Sequence, residues 1–368
     1  MFGSTWNIEQ LESIIKINKE YEKGKIVISE LYGSLRNKHI PLLSARADYR
    51  IPECDIEDFK KYVQKAREND IEINYTCNAP LVNSVHEIFA AEEEYAKWFI
   101  FLEEIGVNRV TVANPLLLGI IDKYAFKLKI EISTIMHSSF ATNLDYYQNY
   151  NIDRICPNIY LNRNWSFLKE YNRVAEQKGI EVQLLANEFC MYGSTPCFGV
   201  YRLACYTQSS FGGNEEMLYD NWPFNECAKA RAKNPSSWLK APFILPQHLH
   251  FYMRETGVFN FKISGRTNSI QHVNHLISAY MKQSYNDKLM KLWIEQGNQG
   301  ISKFNVTVEE LQEVNFFDRL LNKVDCNYDC AICRWCDEKY AEIKMKHDVL
   351  PIRLINEKSF CHPDRSIL

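Results

Sequence analysis

Residues 165–185 read W-S-F-L-K-E-Y-N-R-V-A-E-Q-K-G-I-E-V-Q-L-L, a helical pattern that stops at Gly179 and is followed by a short apolar run. A glycine after the last helical turn, then a buried strand, is the signature of one helix-to-strand unit. G-V-N-R-V, residues 106–110, repeats it. Outward from these, strands are predicted at Lys25–Glu30, Ile71–Tyr75, Arg109–Ala113, Lys127–Thr134, Arg154–Tyr160, Ile180–Leu185, Phe243–Leu245 and Phe259–Ile263. Helical patterns separate them, clearest at Ile8–Tyr21, Asp55–Asn69, Glu92–Ile105, Trp165–Lys178 and Ile270–Gln283. Strands alternating with helices in this rhythm fit an α/β fold, a closed (β/α)8 TIM-like barrel. A doubly wound open sheet ranks second, because no early strand is followed by a glycine-rich phosphate turn. The expected organisation is a barrel over residues 1–285, with a cysteine-rich loop after the sixth strand. A cysteine-rich C-terminal extension over 286–368 follows.

The chain has 368 residues, a net charge of -3 and twelve cysteines. That charge gives no general attraction to polyanions, so nucleic acid is not favoured as a partner except through a local patch. No apolar run has the length of a membrane span, and the start, M-F-G-S-T-W, lacks the pattern of a signal peptide. A cytoplasmic protein is expected, and there many cysteines point to metal or redox chemistry over disulfides.

In a parallel barrel, reactive groups gather where strands end and the following loops begin. The strand ends and loops offer Glu30, Tyr32, Arg46, Asp48, Arg50, Asn74, Tyr75, Asn78, Asn114 and His137. Further on come Asn158, Asn162, Asn187, Glu188, Gln247, His248, Lys262 and Arg266. Amides, arginines and tyrosines dominate, which suits orientation of a polar or anionic small molecule. The candidate catalytic set is Arg46, Asp48, Asn78, His137, Glu188, Lys262 and Arg266. Arg46, Arg50 and Arg266 form the expected carboxylate clamp, and Arg46, Asn78, His137, Lys262 and Arg266 are expected to share one cavity. Close by lie Cys190, Cys197, Cys205 and Cys227. Clustered thiols in polar and aromatic sequence read as ligands of zinc or an iron–sulfur cluster, against the plainer reading of four unrelated buried thiols.

The pair Cys190-x6-Cys197, the later cysteines, F-I-L-P at 243–246 and F-K-I-S-G-R at 261–266 together resemble the collagenase-like peptidase family. This is family thirty-two of the peptidases of unassigned catalytic type. The resemblance implies a barrel holding a 4Fe–4S cluster, with Cys190, Cys197, Cys205 and Cys227 as its ligands in order. It also implies oxygen-independent hydroxylation, known in relatives that act on RNA bases or ubiquinone precursors, with an anionic oxygen donor such as prephenate. Peptide hydrolysis, as the family name implies, is the alternative activity. Where the family has K-I-E-G-R this chain has Lys262, Ser264, Gly265 and Arg266 in K-I-S-G-R, so a serine stands in place of the acid. That departure favours a further alternative, a non-catalytic iron–sulfur subunit paired with a homologous partner.

The extension carries D-C-N-Y-D-C-A-I-C-R-W-C, which places Cys326, Cys330, Cys333 and Cys336 within eleven residues. The first three have the spacing of radical S-adenosylmethionine enzymes, but there the motif precedes the barrel, whereas here it follows. A second, separate metal site is expected, either an iron–sulfur cluster or zinc.

Overall fold

A computed structural model describes residues 1–21, 26–38, 40–41, 43–46, 51–80, 85–190, 229–265, 268–293 and 304–347. Eight parallel strands form one sheet in sequence order: β1 Phe2–Gly3, β2 Glu30–Gly33, β3 Glu72–Cys77 and β4 Arg109–Val112, then β5 Lys129–Ile132, β6 Ile152–Ile155, β7 Glu181–Leu185 and β8 Asn260–Lys262. A parallel bridge between Phe2 and Ile263 joins the last strand to the first. The backbone bond from Ile263 N to Met1 O, 3.0 Å, lies in the same seam. The (β/α)8 barrel expected from the sequence is therefore present.

Its strand numbering differs from the expectation. The first strand is only two residues long, too short for any periodicity to reveal. Phe243–Leu245 is buried but contributes no strand, and Ile244 N bonds to Ala186 O at 2.7 Å beside the end of β7. The cysteine-rich loop thus follows the seventh strand, not the sixth. Glu30 also begins β2 where the sequence reading ended a strand.

The local signals behave as their chemistry requires. Asp55, Asn114, Asn164 and Ser269 each cap a helix by accepting from a backbone N–H of its first turn. Gly106 and Gly179 have φ of +90° and +69°, the left-handed region that ends a helix cheaply only with glycine. At Gly106 a Cβ would also meet the Arg67 guanidinium at 2.1 Å.

Charge fills the barrel's interior where branched apolar side chains are usual. The Glu30 carboxylate accepts from Arg109 Nη1 at 2.8 Å and from Arg154 Nη1. Arg109 also forks onto Asp153 with bonds of 2.9 and 2.6 Å, and Arg154 reaches Glu181 at 3.1 Å. Glu131, fully buried, pairs with Lys262 at 2.9 Å and accepts from Asn74 at 3.0 Å, while Thr111 donates to Asn74 at 2.7 Å. Burial would push the Glu30 carboxyl up, but the two guanidiniums outweigh it and hold it at about 2.

The C-terminal extension is continuous with the barrel's core. Trp293, Trp238, Phe304 and Tyr340 form a run of stacked rings with successive centroids 5.5, 5.8 and 6.1 Å apart. Asp325 accepts from Trp165 N at 2.6 Å and Ser166 N at 3.1 Å, capping a barrel helix from the tail.

A carboxylate held this low stabilises the fold fully above about pH 4.5, and the contribution is lost as pH falls towards about 2. Glu30→Gln removes the carboxylate that two buried guanidiniums share, though each keeps another acceptor, and is expected to cost about 3 kcal/mol at pH 7. Denaturant titrations from pH 7 to 2 should show the variant losing less stability across that window than the wild type. Parallel pH curves would remove Glu30 from the account.

Candidate active site at the barrel mouth

The residues at the C-terminal ends of the strands fall into three sets. On the β2 and β3 side, Asn78 Oδ1 accepts from Ala45 N at 3.2 Å, and Ala79 N donates to Leu43 O at 2.9 Å. These bonds fasten the loop that carries half-buried Arg46. Asp48, Arg50 and Arg266 lie outside the described residues, so the carboxylate clamp is represented by Arg46 alone.

The second set surrounds Cys190, five residues beyond the end of β7. Its Sγ is 3.0 Å from the Tyr160 hydroxyl. The Tyr160 ring lies 6.2 Å from the His137 ring on one side and 6.2 Å from the Tyr328 ring on the other. His137 adopts φ +51°, a left-handed position at the end of the short turn after β5. Glu188, buried, accepts from both Phe189 N and Cys190 N at 2.8 Å, which bends the backbone just before the thiol. Burial raises the Glu188 carboxyl above its ordinary range, while these two bonds and Arg231 pull the other way.

The third set reaches inward. Lys262, the last residue of β8, is tied to Glu131 and stands 4.3 Å over the Tyr32 ring. Burial lowers its ammonium and the Glu131 carboxylate raises it; the charge partner prevails, and Lys262 is held above its usual value. Cys156, buried at the end of β6, faces the same two charges, and burial drives its thiol up to about 12.

Of the first cysteine quartet only Cys190 is described; Cys197, Cys205 and Cys227 lie outside the described residues. The two flanks of that stretch meet, because the Arg231 guanidinium donates to Phe189 O and stacks 4.0 Å over Trp238. Ser264, in place of the family's acid, donates from N and Oγ to Asn187 Oδ1 at 2.7 and 3.1 Å. Asn187 Nδ2 returns a bond to Ser264 O at 3.0 Å, so this serine clasps the ends of β7 and β8 together.

A family model, peptidase family U32, matches residues 28–314. The chain belongs to peptidase family U32. The resemblance carried by the cysteine pair and by F-I-L-P and K-I-S-G-R is thus borne out. An uncharacterized protease of Methanocaldococcus jannaschii is 24% identical over 340 residues, covering 87% of this chain and 95% of the relative. Among solved structures, a U32 peptidase aligns with TM-score 0.41 and 11% identity, over 65% of this chain and 85% of its own. A GH113 β-1,4-mannanase aligns with TM-score 0.39 and 10% identity, over 77% and 97% respectively. Among the described residues no helix of this U32 chain is long and apolar enough to cross a membrane.

The sequence reading of this U32 site missed Tyr160, Tyr328, Glu131 and Cys156. Tyr160 lies between Asn158 and Asn162, both of which were singled out, and its own position after β6 was the available signal. Tyr328 and Glu131 had none, since one sits in the distant tail and the other is an acid inside a strand.

Glu188→Gln keeps the acceptor oxygen for both amides but removes a carboxyl whose ionisation burial opposes. The raised carboxyl favours the fold below about pH 4.5 and loses that contribution as pH climbs through its folded value. The glutamine variant is therefore expected to match or exceed wild-type stability at pH 8, with its relative advantage shrinking at pH 4. Thermal melts at the two pH values check this; a variant much less stable at pH 8 would mean that the charge itself is required.

Proposed function

We propose that the barrel mouth is an iron–sulfur redox site that modifies a small or carrier-bound polar substrate, most simply by hydroxylation without O2. The observation that carries this reading is the Cys190 thiol, held at the C-terminal end of the barrel 3.0 Å from the Tyr160 hydroxyl. The flanks of a stretch containing three further cysteines are pinned together beside it. Four thiols of that kind suit a 4Fe–4S cluster, with Cys190, Cys197, Cys205 and Cys227 as ligands. When bound, such a cluster supplies one-electron transfer.

The chain's own residues supply the rest. Glu188 orients the Cys190 backbone through two N–H bonds. Tyr160 offers a hydroxyl either to the thiolate or to a ligand lying on it. Lys262, charged and only 12% exposed, is the cation at the inner end of the mouth, and Arg46 stands on the loop opposite β3. With Arg266 these groups suit a donor bearing carboxylates, of which prephenate is an example. The His137 ring lies 6.2 Å from the Tyr160 ring and supplies an imidazole that can take up a proton beside this pair.

The family's name favours a second reading, peptide hydrolysis, and the serine at 264 a third, a cluster-bearing subunit that needs a homologous partner. One experiment separates them. Anaerobically purified chain is assayed for isotopic oxygen transfer from labelled prephenate to small-RNA and quinone-precursor acceptors, and for cleavage of denatured collagen, each with and without Cys190→Ser. Donor-dependent transfer lost at least a hundredfold in the variant is the expected outcome. Collagen cleavage that survives loss of iron would establish the peptidase instead, and transfer only after a second subunit is added would establish the third reading.

A further inference from the structure

Cys326, Cys330, Cys333 and Cys336 lie beyond the residues that the family model matches. They nevertheless line one partly open cavity of about 180 Å³ between the tail and the barrel. We propose that this cavity holds a second 4Fe–4S cluster on these four thiolates, and that it passes single electrons to the thiol site at the barrel mouth.

The size of the cavity favours a cluster over a single ion. Zinc needs four sulfurs at about 2.3 Å from one point. A cubane instead places each thiolate on a different iron, so its four sulfurs stand apart around a larger body. Four thiols lining one cavity of about 180 Å³ leave room for that larger body. The backbone contributes: Arg334, at φ +53°, breaks the chain between the helices Cys330–Cys333 and Trp335–Lys346. Cys333 and Cys336 therefore approach the cavity from two helices, not from one helical face.

Charge also suits a cluster with four thiolates, which is anionic. Arg163 and Lys240 line the cavity from the barrel, and Arg319 donates to Cys333 Sγ at 3.3 Å. Two of the nearby carboxylates are already engaged: Asp325 caps a helix, and Asp337 pairs with Lys240 at 2.8 Å.

Placement supplies the function. Cys326 and Cys190 pack against the same buried group, which contains Tyr160 and Tyr328. At the other edge, Cys333 is exposed and its neighbour Ile332 is 80% exposed. A one-electron carrier protein of the flavin or iron–sulfur class docking there would deliver one electron to the tail cluster. That electron then passes across the tyrosine pair to the cluster at the mouth, with no bond made or broken. The transfer step rests on the iron–sulfur reading of the mouth; the tail cluster does not.

The test uses full-length chain reconstituted anaerobically with iron and sulfide, comparing wild type with Cys330→Ser, Cys333→Ser and Cys190→Ser. Two clusters require about eight irons per chain, falling by half in each variant. Cys333 is exposed, so its serine variant carries the test if Cys330→Ser fails to fold. After reduction, the wild type should give an electron paramagnetic resonance spectrum split by two interacting clusters, and each variant an unsplit one. Iron unchanged in Cys333→Ser, or zinc lost in its place, overturns the tail cluster. Eight irons with an unsplit wild-type spectrum overturns the relay. About four irons in wild type, lost in Cys333→Ser but kept in Cys190→Ser, would uphold the tail cluster while refuting the one at the mouth.

Discussion

The barrel depends on a single carboxylate. Glu30 sits inside it, with Arg109 from β4 and Arg154 from β6 both donating to the same oxygen. Taking three charges out of water is costly, and their attraction offsets that only because each guanidinium has further acceptors in Asp153 and Glu181. The network links the non-adjacent strands β2, β4 and β6, so it opposes any slip in register between them. An apolar core would stabilise the same space as well, but it would select the register less sharply.

Charge continues through the interior: Arg109 begins β4, Arg154 lies one residue before the end of β6 and 3.7 Å from Glu131, and Lys262, ending β8, pairs with the same Glu131. The mouth therefore faces a charged and hydrogen-bonded floor, not a greasy one. Such a floor holds Lys262 protonated in spite of burial, whereas burial itself pushes the neighbouring Cys156 thiol up to about 12. Cys190, half-buried beside Tyr160, is differently placed: its partner is a hydroxyl that can turn either way.

The tail is tied to that mouth by three kinds of contact: stacked aromatic rings, the Asp325 cap on a barrel helix, and the Tyr160–Tyr328 pair. Each is local in space and remote in sequence. Together they pack Cys326 of the tail and Cys190 of the mouth against one buried group.

Much of this was legible without coordinates. Glycine stops at Gly106 and Gly179, capping residues before the helices and the apolar runs after them specify βα units through local chemistry, and the closed barrel follows from their repetition. Tertiary structure decided the rest. A two-residue strand at Phe2–Gly3 has no period to detect and exists only because β2 and the Phe2–Ile263 bridge flank it. Glu30 looked like the end of a strand because a charge inside a barrel is unfavourable until Arg109 and Arg154, remote in the chain, arrive to pair with it. Tyr160 and Tyr328 meet only because folding brings the tail against the turn after β6. Sequence determines what each segment prefers by itself, whereas burial and charge pairing depend on neighbours that only the folded chain supplies.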